Sequence, residues 1–496
     1  MHLMCLVQRT KYNDTALGMC VPWRIYSDHL PAPRCTKYGV RDTYDVMSRH
    51  SQKIIHSVGI PIATSGDVRG RYVRHVRDHG TNCVMKIAII GGGAAGLMAA
   101  AAAREESDTV EIFLIEKNDS LGKKVIISGG GRCNLTTGVE NTRQVLTNYP
   151  RGSKFLSKAM YAFPPKSVRV WFEDHGVKVK TEKDMRVFPC SNDGRDVVRV
   201  FEKLFQQTGI KVLFNANVIG ITKRDNGFAI KLKASKNALT VDRVILTTGG
   251  QAYRNTGSTG DGYAFAQSLG HKITDLAPGL SALQTKESWP ARVAGLSFPT
   301  ARFSLAGDPK ITCQGPFIFT HKGISGPAVF ALSSLLAFHQ LTPERPVAVK
   351  IDLFDGVNQD VLLKRIQFNA SKYTKKSLCN VLAMLVPKTL VECMLDDLSL
   401  EADAQIAAVS KKDLMRCAAW LKAVPLNISS RVAGDEFVTA GGVDLAEINP
   451  STMESKICPG LFLAGEILDI DGFTGGFNLQ SAWCTGRLAG KSAVDV

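Results

Sequence analysis

The stretch Ser128-Gly-Gly-Gly-Arg-Cys-Asn134 gathers the residues best suited to chemistry. Three consecutive glycines let a flat ring or a pyrophosphate lie directly on the backbone. Gly130, Gly131, Arg132, Cys133 and Asn134 are therefore candidate ligand contacts. Arg132 can balance negative charge on a reduced ring or on a substrate carbonyl. Cys133 is a candidate proton donor, set against the plainer reading of a small residue packed beneath the ring. The twelve cysteines include no CxxC pair, which excludes a dithiol relay. Three more residues invite a role. His321, within Phe319-Thr-His-Lys-Gly-Ile-Ser-Gly-Pro327, is a candidate general acid, although a lone histidine is more often structural. Tyr253 is a second candidate acid, and Arg186, ahead of Val-Phe-Pro, is a candidate for an anionic or carbonyl group.

These residues need a scaffold, and Met85-Lys-Ile-Ala-Ile-Ile-Gly-Gly-Gly-Ala-Ala-Gly96 supplies it. A buried-strand run at 87–90 enters Gly91-x-Gly93-x-x-Gly96. An alanine-rich helix follows over 97–104, and a second strand over 110–115 ends on Glu116. That is the dinucleotide-binding βαβ unit. Gly91 serves the turn, Gly93 the approach of the pyrophosphate, and Gly96 the packing of helix on strand. Ala94 and Ala95 open the helix, whose free N–H groups face the phosphates. Glu116 is placed to accept hydrogen bonds from the adenosine ribose, with Lys117 and Lys124 close by in sequence.

Two later segments return to the same cofactor. Val241 to Gly250 reads as a strand ending in Thr248-Gly249-Gly250, with Gly262 beyond it. Gly460 to Glu466 reads as a short buried strand ending on Gly465 and Glu466. Gly475 and Gly476 then allow close approach to the ring. Asn478, Leu479 and Gln480 begin a final helix, continuing over about 481–489, whose N-terminus can stabilise negative charge on a reduced ring. Asp469 or Asp471 can hold the ribityl hydroxyls, against an equal reading as turn formers. A nicotinamide-only dehydrogenase has no need of so late a return, so the cofactor is FAD. No second GxGxxG exists. NAD(P)H would therefore dock transiently as a co-substrate and leave before substrate enters, which predicts ping-pong kinetics.

The fold class expected is α/β, a discontinuous Rossmann-like FAD-binding domain over 85–274 and 431–496 with insertions between. Residues 275–355, with short alternating runs, predict a β subdomain. Residues 356–430, with helical periodicity, predict a helical subdomain that helps roof the ring. Residues 1–84 contain no Glu, carry 12 Lys+Arg against 6 Asp, and hold 6 of the 10 histidines. They read as disordered or poorly packed, with Met85 as the natural start and a targeting segment as the alternative. Scattered cysteines point to reduced thiols and a cytoplasmic location, and neither Cys nor His has metal-site spacing, so no metal is expected. No apolar stretch is long enough to span a bilayer.

The net charge is +16, of which +10 belongs to 85–496, a surplus that favours an anionic partner. Residues 361–391 carry Lys364, Arg365, Lys372, Lys375, Lys376 and Lys388 without one acid, with Phe368 and Tyr373 among them. A solvated helical face is the plainer reading; an RNA-facing patch is the other.

Taken together, the motifs at 128–134, Arg186-Val-Phe-Pro189, Thr256-Gly-Ser-Thr-Gly-Asp-Gly262, 319–327, Val438-Thr-Ala-Gly-Gly-Val443 and Gly472-Phe-Thr-Gly-Gly-Phe-Asn-Leu-Gln480 resemble a known family. It is the BaiN/RdsA-type flavoproteins, also called YhiN-like or aminoacetone-oxidase-like. The resemblance covers 85–496 and none of 1–84. It implies an FAD-binding Rossmann-like fold with inserted β-barrel-like and helical domains. It also implies reduction of an activated C=C bond, in a steroid-like acid or a ribosomal RNA uridine, or else amine oxidation. The basic surplus tilts the expectation toward uridine in rRNA, yielding dihydrouridine, with a small-molecule enone or an amine as alternatives. An RNA-binding or redox-sensing flavoprotein without turnover is the rival of another class.

Overall fold

The computed structural model describes residues 84–495 apart from 433 and 435. The expectations for the basic extension ahead of them lie outside the described residues.

A five-stranded parallel sheet forms the floor, in the spatial order Leu461–Leu463, Arg243–Leu246, Lys86–Ile90, Glu111–Ile115, Lys211–Leu213. Its strands are short and apolar because helices cover them; Ile87, Ala88 and Ile89 are fully buried. The helix Ala94–Glu106 begins directly after the glycine turn and buries Ala95 through Ala103. The C-terminal helix Phe477–Asp495 lies against it. It starts at Phe477 and runs to Asp495, longer than the sequence pattern predicts, because Gly486 and Gly490 sit inside it without ending it. Both glycines face the alanine helix. A Cβ on Gly486 would stand 2.3 Å from the Ala95 carbonyl oxygen, and one on Gly490 2.2 Å from that of Ala99. Glycine here lets two helices touch along their backbones.

The chain leaves the sheet domain through Ala277–Gly279 and returns through Val438–Ala440, and these two strands pair antiparallel. Between them lies a closed six-stranded barrel, in the order Leu283–Thr285, Gly323–Ser325, Thr312–Thr320, Ser297–Leu305, Val347–Asp352, Val424–Arg431. All of the last strand but Arg431 falls within residues 356–430, which the sequence pattern gives to the helical segment. The helices Gln359–Lys372, Lys388–Leu398 and Lys411–Lys422 are thus an excursion between two neighbouring barrel strands. Val424-Pro-Leu-Asn-Ile428 alternates buried and exposed, but follows a helix so closely that its period is masked.

The fold class is therefore α/β with an inserted barrel and helices. No described helix is long and apolar enough to cross a membrane.

Candidate active site: a glycine-lined cleft under the barrel

The three glycine-rich segments meet in one cleft of about 1790 Å³. A pocket for one small molecule occupies roughly 300–1,000 Å³. This one has room for an extended dinucleotide and a further ring system.

At one end the glycine turn and Glu116 face each other. The Glu116 carboxylate is buried and accepts the Gly92 N–H at 2.7 Å on one oxygen. Its other oxygen accepts the backbone N–H and the side-chain amide of Asn118, at 2.8 and 2.7 Å. Gly93 faces open space at the helix start. Gly96 does not line the cleft; a Cβ there would stand 1.9 Å from the Gly91 carbonyl, so its role is to let the turn close on the helix. Lys117 lines the same end and donates to Thr259 Oγ1 at 2.6 Å and Asp261 at 2.7 Å. Ala94, Ala95, Thr248, Gly249 and Gly465 also line the cleft, and the buried Thr248 hydroxyl has no protein partner.

In the middle, Lys124 pairs with Glu466 at 2.7 Å, and Glu466 also accepts the Thr439 N–H at 3.0 Å. One carboxylate thereby ties the cofactor domain to the strand returning from the barrel. Gly250 and Gly262 sit behind this wall, packed against Thr439 and Thr248.

At the far end the Ser128–Asn134 motif meets the C-terminal helix. Gly129 through Gly131 are all left-handed, and Gly130 faces open space within the cleft lining. With its amide oriented to satisfy both neighbours, Asn134 accepts the Gly476 N–H at 2.9 Å and donates to the Thr136 carbonyl at 3.2 Å. Gly475, Gly476, Asn478 and Leu479 line the cleft here. Asn478 closes the loop before the helix, bonding Gly472 through both amide atoms at 2.8 and 2.7 Å. Arg186 is brought to this end by strand pairing: it lies opposite Thr137, one residue from Thr136, and lines the cleft. It is half-exposed, and Asp184 accepts from its Nε at 2.7 Å.

Several residues singled out in sequence stand elsewhere. His321 is exposed on the two-residue turn joining barrel strands Thr312–Thr320 and Gly323–Ser325, outside the cleft lining. The glycines around it serve the barrel: a Cβ on Gly323 would stand 2.4 Å from the Leu283 carbonyl. Cys133 is fully buried behind the lining, and burial pushes its thiol up to about 12, which removes it as a source of thiolate at neutral pH. Arg132 points away, paired with Glu182 at 2.7 Å and stacked over Phe188 at 3.8 Å. Gly131 is exposed outside the cleft lining, and its carbonyl accepts the Gly194 N–H at 2.9 Å. Gln480 is a buried brace, accepting from Thr136 Oγ1 at 2.6 Å and donating to the Phe163 carbonyl at 2.9 Å. Asp471 is buried in a bidentate pair with Arg151, and Ser334 Oγ, on the helix Pro327–Leu335, donates to it at 2.7 Å. Burial raises the carboxyls of both Asp469 and Asp471. Neither lines the cleft.

The sequence reading expects the inserted β and helical subdomains together to roof the ring but does not name the residues that line the cleft from that side. Leu280, Thr300, Gln314, Pro316, Pro327, Phe330 and Asp355 close the cleft from above. Phe437 stacks on Tyr253 with centroids 5.7 Å apart, and Phe330 meets Phe437 edge-on at 5.1 Å. Together these three form an aromatic wall. Tyr253 was singled out, but as an acid rather than as part of a wall.

The residues present fit FAD. An acid stands at the ribose position, a helix start opens on the phosphates and a left-handed glycine run leaves space for the ring. A 3-dehydro-bile acid delta(4,6)-reductase of Clostridium scindens is 30% identical over 415 residues, 83% of this chain and 99% of that protein. A ribosomal RNA dihydrouridine synthase of Escherichia coli is 28% identical over 390 residues, 77% of this chain and 92% of that protein. Among solved structures, the 3-ketosteroid delta1-dehydrogenase of Sterolibacterium denitrificans aligns over 82% of this chain and 99% of its own, at 12% identity and a TM-score of 0.44. The family described as HI0933-like protein Rossmann domain matches residues 85–492. With nearly every described residue inside that match, the chain belongs to the HI0933-like family, a family of FAD-type oxidoreductases.

Proposed function

We propose that this protein uses NAD(P)H to reduce a C=C bond conjugated to a carbonyl, with uridine in ribosomal RNA as substrate and dihydrouridine as product. The observation that carries the reading is the position of Arg186 on the cleft wall beside the Asn134–Gly476 cradle. A guanidinium there can hold the carbonyl oxygen of an enone or a uracil and stabilise the negative charge that grows on it as the bond is reduced. FAD, when bound, supplies the hydride chemistry. Glu116 would hold the adenosine ribose, and the start of helix Ala94–Glu106 would hold the pyrophosphate. The start of the C-terminal helix, at Asn478 and Leu479, turns its partial positive charge toward the ring. The wall of Tyr253, Phe437 and Phe330 excludes water from the opposite side.

The names of the two relatives support reduction of a conjugated C=C bond, in a bile acid in one case and in RNA in the other. The basic surplus of 85–496 favours the RNA. The transient nicotinamide follows from the single dinucleotide-binding turn. The test is steady-state kinetics of the purified holoprotein with NADPH against three acceptors: unmodified rRNA fragments, a conjugated cyclic enone, and oxygen. Parallel double-reciprocal lines with rRNA, and dihydrouridine in the product, are the result expected. Turnover with the enone alone would overturn the RNA substrate, and turnover with oxygen alone would overturn the reductase.

A further inference from the structure

The helix Gln359–Lys372 stands on the excursion from the barrel and presents one face outward. Val361, Lys364, Arg365, Phe368, Ser371 and Lys372 are all exposed, at the three- and four-residue spacing of a single helical stripe. Lys375 and Lys376 continue the stripe past the helix end. The opposite face, Leu362 and Ile366, is buried in the barrel-side core, so the stripe is not needed to hold the subdomain.

Two features set this face apart from an ordinary solvated one. The helix has one acid, the exposed Asp360 in its first turn; none follows from 361 to 391, and among the described residues no ion pair joins a carboxylate to Lys364, Arg365, Lys372, Lys375 or Lys376. Large apolar side chains also stand among the cations. Phe368 is 64% exposed and Val361 56%. The Lys372 and Lys376 ammonium groups stand over the Tyr373 ring, 5.4 and 5.8 Å from its centroid, which gathers two cations at one ring. Unpaired cations around an open phenyl ring match a nucleic-acid strand: phosphates meet the cations and an unpaired base stacks on the ring.

The face is joined to the cleft. Asp355 lines the cleft, and the helix begins four residues later, at most about 14 Å away along an extended chain. The helix itself is about 21 Å long.

We infer that this face binds single-stranded RNA flanking the nucleotide that enters the cleft, with Phe368 as a stacking platform and Lys364, Arg365 and Lys372 as phosphate contacts. The inference rests on the proposed RNA substrate, but binding and reduction are separate measurements.

The experiment is fluorescence anisotropy of the holoprotein with a labelled single-stranded oligouridylate across a salt series. The variants are the triple K364E/R365E/K372E and, separately, Phe368→Ala. Each changes only exposed side chains, and flavin content and thermal midpoint serve as the check on folding. The triple variant is expected to bind at least tenfold more weakly and to flatten the log–log salt slope by about 2, since each phosphate contact on a single strand contributes roughly 0.7. Phe368→Ala is expected to lose roughly 5- to 100-fold with the slope unchanged, as a stacking contact should. Parent-like affinity and slope in the triple variant would overturn the surface, as would a parent protein that does not bind the oligouridylate. Equal loss of binding to phosphatidylserine vesicles, with RNA binding kept, would assign the face to a membrane and overturn the inference too. A parent that binds RNA through this face but never reduces its uracil leaves the surface standing and removes the substrate reading. Reduction of RNA uracil by a triple variant with parent-like binding does the reverse.

Discussion

Arg186 and Cys133 divide the chemistry at the scale of single residues. Arg186 lies opposite Thr137 beside the glycine cradle on the cleft wall, with Asp184 2.7 Å from its Nε and Glu182 3.5 Å from an Nη, so a carbonyl oxygen would have to share a guanidinium already held by two carboxylates. Replacing it by alanine should lower kcat/KM for a conjugated acceptor by about 100- to 1,000-fold, the usual loss for one charge-stabilising donor. Flavin content should not change, since Arg186 stands on the substrate side. Cys133 has a buried, poorly acidic thiol behind the lining, so Cys133→Ala should keep kcat within about threefold, against the 100-fold or greater loss of an acid–base group. Rapid kinetics on both variants checks the pair. The cofactor side of the site was legible in sequence because its residues sit in short motifs with fixed offsets: Gly91, Gly93 and Glu116 line the cleft where the spacing puts them. The aromatic wall was not legible. Phe330 and Phe437 come from segments about a hundred residues apart, and neither sits in a local pattern that marks it. His321 misled for the opposite reason. Its glycine-rich neighbourhood has the look of a catalytic loop, yet the glycines there serve strand crossings in the barrel.

The pair of helices Ala94–Glu106 and Phe477–Asp495 carries much of the cofactor domain. Their contact is close enough that Gly490→Leu must push the Ala99 backbone aside, at a cost of about 1–3 kcal/mol. A drop in thermal midpoint, with flavin bound less tightly, is the expected readout. The same two helices are joined at one side by a charge. Arg487 pairs with Glu105 at 2.7 Å, and Trp171 Nε1 donates to the same carboxylate at 2.8 Å. Burial alone would raise the Glu105 carboxyl, but the Arg487 and Trp171 bonds outweigh it and hold it below its ordinary value of 4.5. A carboxyl lowered on folding stabilises the native state fully above its unfolded value and loses that contribution as pH falls through the folded one. Stability should therefore decline from pH 4.5 downward partly through this group. The Arg487→Ala variant should show a smaller difference between urea midpoints at about pH 6 and about pH 3.5 than the parent. An equal difference would mean that Glu105 carries none of the acid sensitivity. At this scale the sequence was readable for strand and helix type, because the alanine run and the apolar strands keep their period. It was less readable at the ends, where the C-terminal helix runs through two glycines.

For the whole molecule, the cleft has walls from both the parallel sheet domain and the barrel, which are joined by the paired strands Ala277–Gly279 and Val438–Ala440. A cofactor bound there would rest on the sheet domain beside Glu466, a cleft-lining carboxylate that accepts from the returning strand. Stripping FAD should lower the thermal midpoint, and readdition at about 100 times its dissociation constant should restore about 2.7 kcal/mol. The discontinuous cofactor domain was visible in sequence as three separated glycine-rich returns. The closure of the barrel was not, because its sixth strand follows more than seventy residues after the fifth, beyond the helices. The most direct test of the account is a single anaerobic turnover: the holoprotein is reduced with one equivalent of NADPH, mixed with an unmodified rRNA fragment, and its flavin absorbance and product followed together. Reoxidation of the flavin with one dihydrouridine formed per flavin is the result the account requires. Flavin that stays reduced with rRNA and with a conjugated enone alike would contradict it.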